Sequence, residues 1–425
     1  MKIQAFVILI SLIAANKLSA ADTLELASCK ALARENYPLA KQKGLYGESL
    51  ALTLKSLTTA SYFPKFNIAG EASYQSEVTH FPGTLPVSIE LPAKDQYRAT
   101  LNIQQTLFDG NRSAANKAVE RLNAKEQEQM NDAEMLNVEQ QVQQIYFNGL
   151  LQQKAKENLL LTQQVLKERI RLAQSALRNG VILQRDLNLL EVQLRTTEKQ
   201  IAEAVFNQQS CVKILALITG IDFDENSAFT LPAVVLIPDK EPDNRRPEML
   251  AFDTRINRFE ANKSVLNAQL IPTVQAYGTL GYGRPGLNML SNNFDPFYIV
   301  GIRLNWTPWD GNLIQQQKKN LDIQRKVVAN QKAAFDTNVR TQAQQKRSDI
   351  QKQEALLKQD VEIAQLRWAI TKESASQLDN GAITTGDYIA DLNAETQARI
   401  AVEISKIQLI KAQMDYLIIL GMNNE

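Results

Sequence analysis

The chain has 425 residues with 47 basic and 46 acidic side chains, a net charge of +1 and a single histidine, His80. Charges so evenly mixed offer no basic surface for nucleic acid, and one histidine leaves histidine-based general-base catalysis or metal ligation almost nothing to work with. Only 17 glycines and 13 prolines serve this length, clustered in a few places, which points to long uninterrupted helices.

In chain order, Met1-Lys2-Ile3, an apolar run from Phe6 to Ala15 and the small residues Ser19-Ala20-Ala21 before Asp22 predict a secretory signal peptide over 1–21. Downstream no stretch approaches the roughly 20 consecutive apolar residues of a membrane-spanning helix, so a helical membrane protein is excluded. The two cysteines, Cys29 and Cys211, could pair in an oxidising compartment, and the sequence leaves that open. Leu26-Ala27-Ser28-Cys29 looks like a lipoprotein cleavage site, but Asp22 and Glu25 separate it from the apolar run that such a site closes directly.

Next come strands. Phe66 to Gln75 is followed by a loop over 76–96 that Phe81-Pro82-Gly83, Leu85-Pro86 and Leu91-Pro92 keep out of regular structure. Tyr97, Ala99, Leu101, Ile103 and Leu107 then alternate with Arg98, Thr100, Asn102, Gln104 and Thr106, a strand with one apolar and one polar face. The pattern recurs in Tyr298, Val300, Ile302, Leu304 and Trp306; the partner strands Phe66 to Gln75 and Thr273 to Tyr282 alternate less cleanly, although Val274, Ala276, Leu280 and Tyr282 hold one face. A strand of about ten residues suits a tilted bilayer crossing. Four strands are too few to close a barrel, and Tyr97, Phe108, Tyr298, Trp306 and Trp309 sit near strand ends as in an interfacial girdle, so closure would need several chains.

After Phe108-Asp109-Gly110-Asn111 the period becomes helical: Met135, Val138, Val142 and Ile145, then Leu166, Ile170, Ala173 and Leu177, step by three and four as coiled-coil stripes do. No proline interrupts 111–178 or 312–378, so each helix would run about 100 Å at roughly 1.5 Å per residue. Asn179-Gly180 and Asn380-Gly381 provide helix stops, and returning helices follow over about 184–217 and 386–418. Pro232, Pro238, Pro242 and Pro247 make 221–247 an irregular connector, and a helix is expected over about 248–269.

The whole is a duplication. Phe108-Asp109-Gly110-Asn111 returns 201 residues later as Trp309-Asp310-Gly311-Asn312, and the same spacing relates Asn179-Gly180 to Asn380-Gly381, Asp186 to Asp387 and Leu217-Ile218-Thr219-Gly220 to Ile418-Ile419-Leu420-Gly421. Upstream, Tyr62-Phe63-Pro64 matches Leu270-Ile271-Pro272 at a spacing of 208, the extra length falling in the first strand loop. The division is therefore a signal peptide over 1–21, a first repeat over 22–220, the connector over 221–247 and a second repeat over 248–425.

In the order of these parts the chain resembles the TolC-like outer-membrane efflux protein family over essentially its whole mature length. The resemblance rests on Leu24 to Pro38, ending in Glu35-Asn36-Tyr37-Pro38, on the two Asp-Gly strand-to-helix turns and on the two hairpins in which an acid follows the glycine by six, Gly180 with Asp186 and Gly381 with Asp387. It implies an α+β membrane protein: long coiled-coil helical hairpins plus four transmembrane β-strands per protomer, three protomers sharing a 12-stranded β-barrel continued by a periplasmic α-barrel. It implies a passive channel in the outer membrane, embedded in its lipid and fed by an inner-membrane transporter and a periplasmic adaptor, with no cofactor, metal, nucleic acid or catalysis.

The resemblance also places Asp186 and Asp387 near the periplasmic constriction, with Asp391 a turn deeper although one residue out of step, where the family acid would fall on Ala390. Three-fold symmetry would make each a ring of carboxylates that attracts cations; ordinary helix-start acids are the competing account. Tip residues Gly180, Val181, Ile182 and Leu183, and Gly381, Ala382, Ile383 and Thr384, match the adaptor-contacting loops, with burial against the neighbouring hairpin as the alternative. The family's latching tyrosine and arginine are replaced by Leu378 and Ile383, leaving Arg178 or Arg185 as substitutes.

Two other readings compete. Gly281-Tyr282-Gly283-Arg284-Pro285-Gly286 fits the dinucleotide fingerprint, but that motif must open a helix and here leads into a hairpin loop. A soluble periplasmic coiled-coil scaffold with a small wet-faced sheet would show the same periodicities.

Overall fold

A computed structural model describes residues 23–78, 93–234, 237–238, 242–289 and 291–422. The expected signal peptide, His80 and most of the proline-rich strand loop lie outside these residues. In chain order the elements are β1 (Thr23–Leu24), α1 (Leu26–Asn36), a short 3-10 turn (Pro38–Lys41), α2 (Gln42–Tyr62), β2 (Lys65–Tyr74), β3 (Asp95–Phe108), α3 (Arg112–Arg178), α4 (Gln184–Thr219), β4 (Ala228–Phe229), α5 (Pro247–Ala268), β5 (Thr273–Arg284), β6 (Asp295–Asn305), α6 (Leu313–Asp379) and α7 (Thr385–Ile419). The predicted helices and strands are all present, with ends shifted by a few residues. β6 starts earlier than expected and stops at Asn305, so Trp306 lies beyond it, just ahead of Pro308.

α3 and α6 are each a single 67-residue helix. Each begins in the same way: Asp109 Oδ2 accepts from Ser113 N at 2.8 Å, and Asp310 Oδ2 accepts from Ile314 N at 2.8 Å, which satisfies an otherwise orphaned first-turn donor. The left-handed backbone positions also recur 201 residues apart, in Gly110 and Gly311, Asn111 and Asn312, Gly180 and Gly381, and Gly220 and Gly421.

The chain divides into two compact units, and each draws on both halves of the sequence: 1–41, 132–246 and 336–425 in one, 42–131 and 247–335 in the other. The first holds an apolar core in which Leu26, Cys29 and Ala33 of α1 meet Val142, Tyr146, Phe147 and Leu150 of α3, Val212 and Leu215 of α4, and Ile407 and Ile410 of α7. Both cysteines are free thiols against this core, and burial raises the Cys29 pKa to about 11, so it behaves as a small apolar side chain.

Tyr146 is fully buried in that core. Its hydroxyl lies 2.6 Å from Leu24 O and 2.7 Å from Thr230 O and accepts from Thr230 N at 3.1 Å. It thereby fastens the parallel pair of β1 and β4, Thr23 with Ala228 and Leu24 with Phe229. Against Gly149 of α3 the Phe229 ring sits so close that a Cβ there would fall 2.3 Å from it. On the rim, Lys30 Nζ donates to Gln143 Oε1 at 2.6 Å, and Gln143 Nε2 donates onward to Asp415 at 2.7 Å. Burial lowers the Lys30 pKa to about 8, against the pull of Glu139 and Asp415.

In the second unit, β2, β3, β5 and β6 form one antiparallel sheet in that order, so the two hairpins meet where β3 pairs with β5. Arg255 of α5 donates to Glu126 of α3 at 2.6 Å, and Arg258 donates to Asn123 at 2.7 Å.

Candidate functional site

Strand register sorts the sheet's side chains by face, because directly paired residues project on the same side. One face carries Ala72–Tyr97–Arg284 at the loop end, the rows Gly70–Ala99–Tyr282–Pro296, Ile68–Leu101–Leu280–Tyr298 and Phe66–Ile103–Gly278–Val300, then Gln105–Ala276–Ile302 and Phe108–Val274–Leu304. The other carries Glu71–Arg98–Gly283–Asp295, Ala69–Thr100–Gly281–Phe297, Asn67–Asn102–Thr279–Ile299, Lys65–Gln104–Tyr277–Gly301 and Thr106–Gln275–Arg303. The second face is largely polar and bonded internally, with Thr279 Oγ1 donating to Asn102 Oδ1 at 2.8 Å.

Among the described residues nothing covers the apolar face: Ile68 is 84% exposed, Val300 74% and Ile302 71%. Water-facing strands do not leave such a contiguous patch open, since burying it is the main favourable term in folding. β5 has 12 residues, about 40 Å of strand, and a tilt of about 40° reduces that to about 30 Å of height, enough for an apolar band of about 25 Å and its flanks. Aromatic residues mark both flanks. At the loop end Tyr97, Tyr282 and Phe294 cluster, the last two stacked 5.7 Å apart, with the Arg284 guanidinium over Tyr97 and Phe294. At the helix end Trp306 Nε1 donates to Leu270 O at 3.1 Å, and Trp309 is exposed. Among the described residues β2 and β6 are edge strands with one side of each unpaired.

The two helical-hairpin tips are built alike. Val181 N donates to Ala176 O and Gly180 N to Leu177 O, both at 2.9 Å; Ala382 N donates to Gln377 O at 2.8 Å and Gly381 N to Leu378 O at 3.0 Å. These are Schellman closures on a left-handed glycine. Three residues later the chain re-enters a helix. Asp387 is the third residue of α7 and forms a full capping box, accepting from Thr384 N at 3.0 Å and Thr384 Oγ1 at 2.7 Å while Thr384 Oγ1 accepts from Asp387 N at 3.2 Å. The Thr384 hydroxyl, then its amide, hold the Asp387 carboxyl below the ordinary carboxylate range. Asp186 occupies the same place in α4, but its N-cap is Leu183, so only the half in which Leu183 N donates to the carboxylate at 3.2 Å is made. Asp391 lies one turn further along α7 and accepts from Ser374 Oγ of α6 at 2.5 Å.

Each of Asp186 and Asp387 thus caps its own hairpin. The apolar tip residues divide: Val181 and Leu183 are 75% and 70% exposed, Ile182 is half-buried, and Ile383 turns inward with Leu378 onto the cluster of Leu166, Ile170, Leu187, Leu190, Tyr388 and Leu392. Between the hairpins runs a link that no local pattern announces. Arg169 of α3 donates to Asp379 at the end of α6 at 2.6 Å and lies over the buried ring of Tyr388 in α7, 5.0 Å from its centroid. Burial raises the Tyr388 phenol, opposed by Arg169. Deeper in, Gln193 and Asn393 exchange amide hydrogen bonds at 2.7 and 3.2 Å, and the Thr162 and Thr396 hydroxyls lie 2.8 Å apart.

Comparison with known proteins agrees with this architecture. Residues 51–220 match the sequence model of the outer membrane efflux protein family. No curated protein sequence matches the chain. Among solved structures, the Campylobacter jejuni CmeC outer membrane channel aligns with a TM-score of 0.67 at 16% identity, covering 93% of this chain and 85% of that one. The outer membrane protein VceC from Vibrio cholerae aligns at 0.70 and 14% identity over 94% and 97%. The Neisseria gonorrhoeae MtrE outer membrane channel, in its open state, aligns at 0.67 and 13% over 93% and 89%. Sheet, hairpins and signature coincide in one chain: residues 51–220 match the outer membrane efflux protein family, and nearly the whole chain has the fold of these solved outer membrane channels.

Proposed function

We propose that three copies of this chain close edge to edge into a twelve-stranded barrel in the outer membrane, continued by a helical conduit in the periplasm, and that the assembly passively conducts cargo received from an inner-membrane transporter through a periplasmic adaptor. The observation that carries this is the four-stranded sheet with an uncovered apolar face and two free edges. In lipid every backbone donor and acceptor must be paired within protein, so such a sheet can sit in a bilayer only if its edges are closed by other copies. The division into signal peptide 1–21, repeats 22–220 and 248–425 and connector 221–247 fits that construction, each repeat supplying one strand hairpin and one helical hairpin.

Asp186, Asp387 and Asp391 are proposed to line the periplasmic constriction, where symmetry would gather each into a ring. The tips Gly180–Leu183 and Gly381–Thr384 are proposed as the adaptor contacts, Val181 and Leu183 being the exposed apolar groups that need a partner. The latch is Arg169: it joins the first hairpin to the second through Asp379 and Tyr388, so opening would have to break both contacts. Washing membranes with alkali or urea tests the reading. The mature protein is expected to stay with the outer-membrane fraction, and its release would return the soluble scaffold to favour.

A further inference from the structure

The polar face of the sheet is not evenly charged. Its loop-end row holds Glu71, Arg98 and Asp295, two acids to one base. The next two rows hold no charge at all. Its helix-end rows hold Lys65 and Arg303, two bases and no acid. Among the described residues neither Lys65 nor Arg303 forms an ion pair, and both are exposed. Arg303 is instead held over the ring of Tyr277 at 5.1 Å, and that ring lies across Gly301, where a Cβ would fall 2.7 Å from the phenol oxygen. The guanidinium is therefore pre-positioned by a ring that costs it none of its charge.

Closing the barrel cannot neutralise this end. Lys65 lies on edge strand β2 and Arg303 on edge strand β6, and the polar-face acids of those two strands, Glu71 and Asp295, both belong to the loop-end row. Whichever copies meet at those edges, antiparallel closure at matched levels brings base beside base at the helix end.

We propose that Lys65 and Arg303 form an anion-binding belt around the inner wall of the barrel at its helix end, a site for the anionic groups of cargo passing through. The proposal rests on the trimeric-barrel reading and adds a cargo chemistry to it. Three copies would place six bases there, with a net acidic outer row, so the potential along the lumen changes sign. Rings of lysine or arginine select anions in pores, and low-dielectric walls focus such a field.

Planar-bilayer recording of the purified full chain under a potassium chloride gradient tests it. Replacing both residues, Lys65→Gln with Arg303→Gln, should lower the chloride-to-potassium permeability ratio by about twofold or more, and Lys65→Glu with Arg303→Glu should lower it further. Both side chains face water, and the single variants Lys65→Gln and Arg303→Gln should each give part of the shift, so failure of a double variant to assemble still leaves a reading. Channels whose reversal potential is the same in wild type and in the single variants would overturn the belt and leave the conduit standing. A wild-type protein that forms no channels would overturn the conduit itself.

Discussion

Removing the guanidinium of Arg169 is the perturbation that bears most directly on the proposed latch. Its ion pair with Asp379 is half in water, the two side chains being 17% and 59% exposed, and such pairs contribute about 0.2–1 kcal/mol. Its stacking on the fully buried Tyr388 ring contributes about 1–2 kcal/mol, because one partner is desolvated. Together these amount to about 1.2–3 kcal/mol holding the hairpins together, so Arg169→Ala should raise the population with separated tips about 8- to 160-fold. Single-channel recording of the purified protein reads that as a rise in open probability. Asp379→Asn removes only the exposed partner and should act several-fold less, whereas Tyr388→Leu should approach the effect of Arg169→Ala. If Arg169→Ala folds normally by circular dichroism yet opens no more often than wild type, or if Asp379→Asn acts as strongly, the latch is misassigned.

Other outcomes are equally specific. Gly149→Ala should destabilise the protein by about 1–3 kcal/mol in thermal unfolding although alanine favours a helix by about 1 kcal/mol, because its Cβ would drive into the Phe229 ring beneath the β1–β4 strap. For Lys30 the folded pKa of about 8 lies below the ordinary 10.5, so between those pH values the unfolded chain binds more protons and stability rises with pH. Lys30→Met should abolish that rise, seen as the pH dependence of the melting temperature. Asp387, held below the ordinary carboxylate range, contributes stability at neutral pH that is lost as pH falls through its folded value; amide exchange at Thr384 and Asp387 in strong acid should speed up before that at Gln193 and Asn393. Replacing both acids, Asp186→Ala with Asp387→Ala, should weaken block of the channel by added divalent cations, and unchanged block would place them away from the constriction.

Much of this architecture is legible in the sequence because each element has a strong period and a marked end. β3 alternates cleanly, α3 and α6 run between an Asp-Gly start and an Asn-Gly stop, and the duplication repeats those landmarks at one spacing. α2 is not legible: it buries no side chain and contains Gly44 and Gly47, so neither an apolar stripe nor helix propensity marks it. Nor is the β1–β4 strap, since two residues are too short for a period and what selects them is Tyr146, far away in sequence. The hairpin pattern marks the acids of the tips but does not distinguish Asp387, with a threonine partner, from Asp186, with only a backbone amide. Arg169 carries no such mark. It stands 210 residues from Asp379, off the repeat spacing of 201, and nothing short of the folded hairpins brings the two together.

The orientation of the sheet decides whether its apolar rows meet lipid or protein. Electron cryo-microscopy of the detergent-purified protein measures this directly. It is expected to show three chains closing twelve strands, with the Ile68–Leu101–Leu280–Tyr298 row pointing outward into detergent and Lys65 and Arg303 pointing into the lumen. A single chain, or an assembly that buries that apolar row against protein and turns Lys65 and Arg303 to the outside, would contradict it.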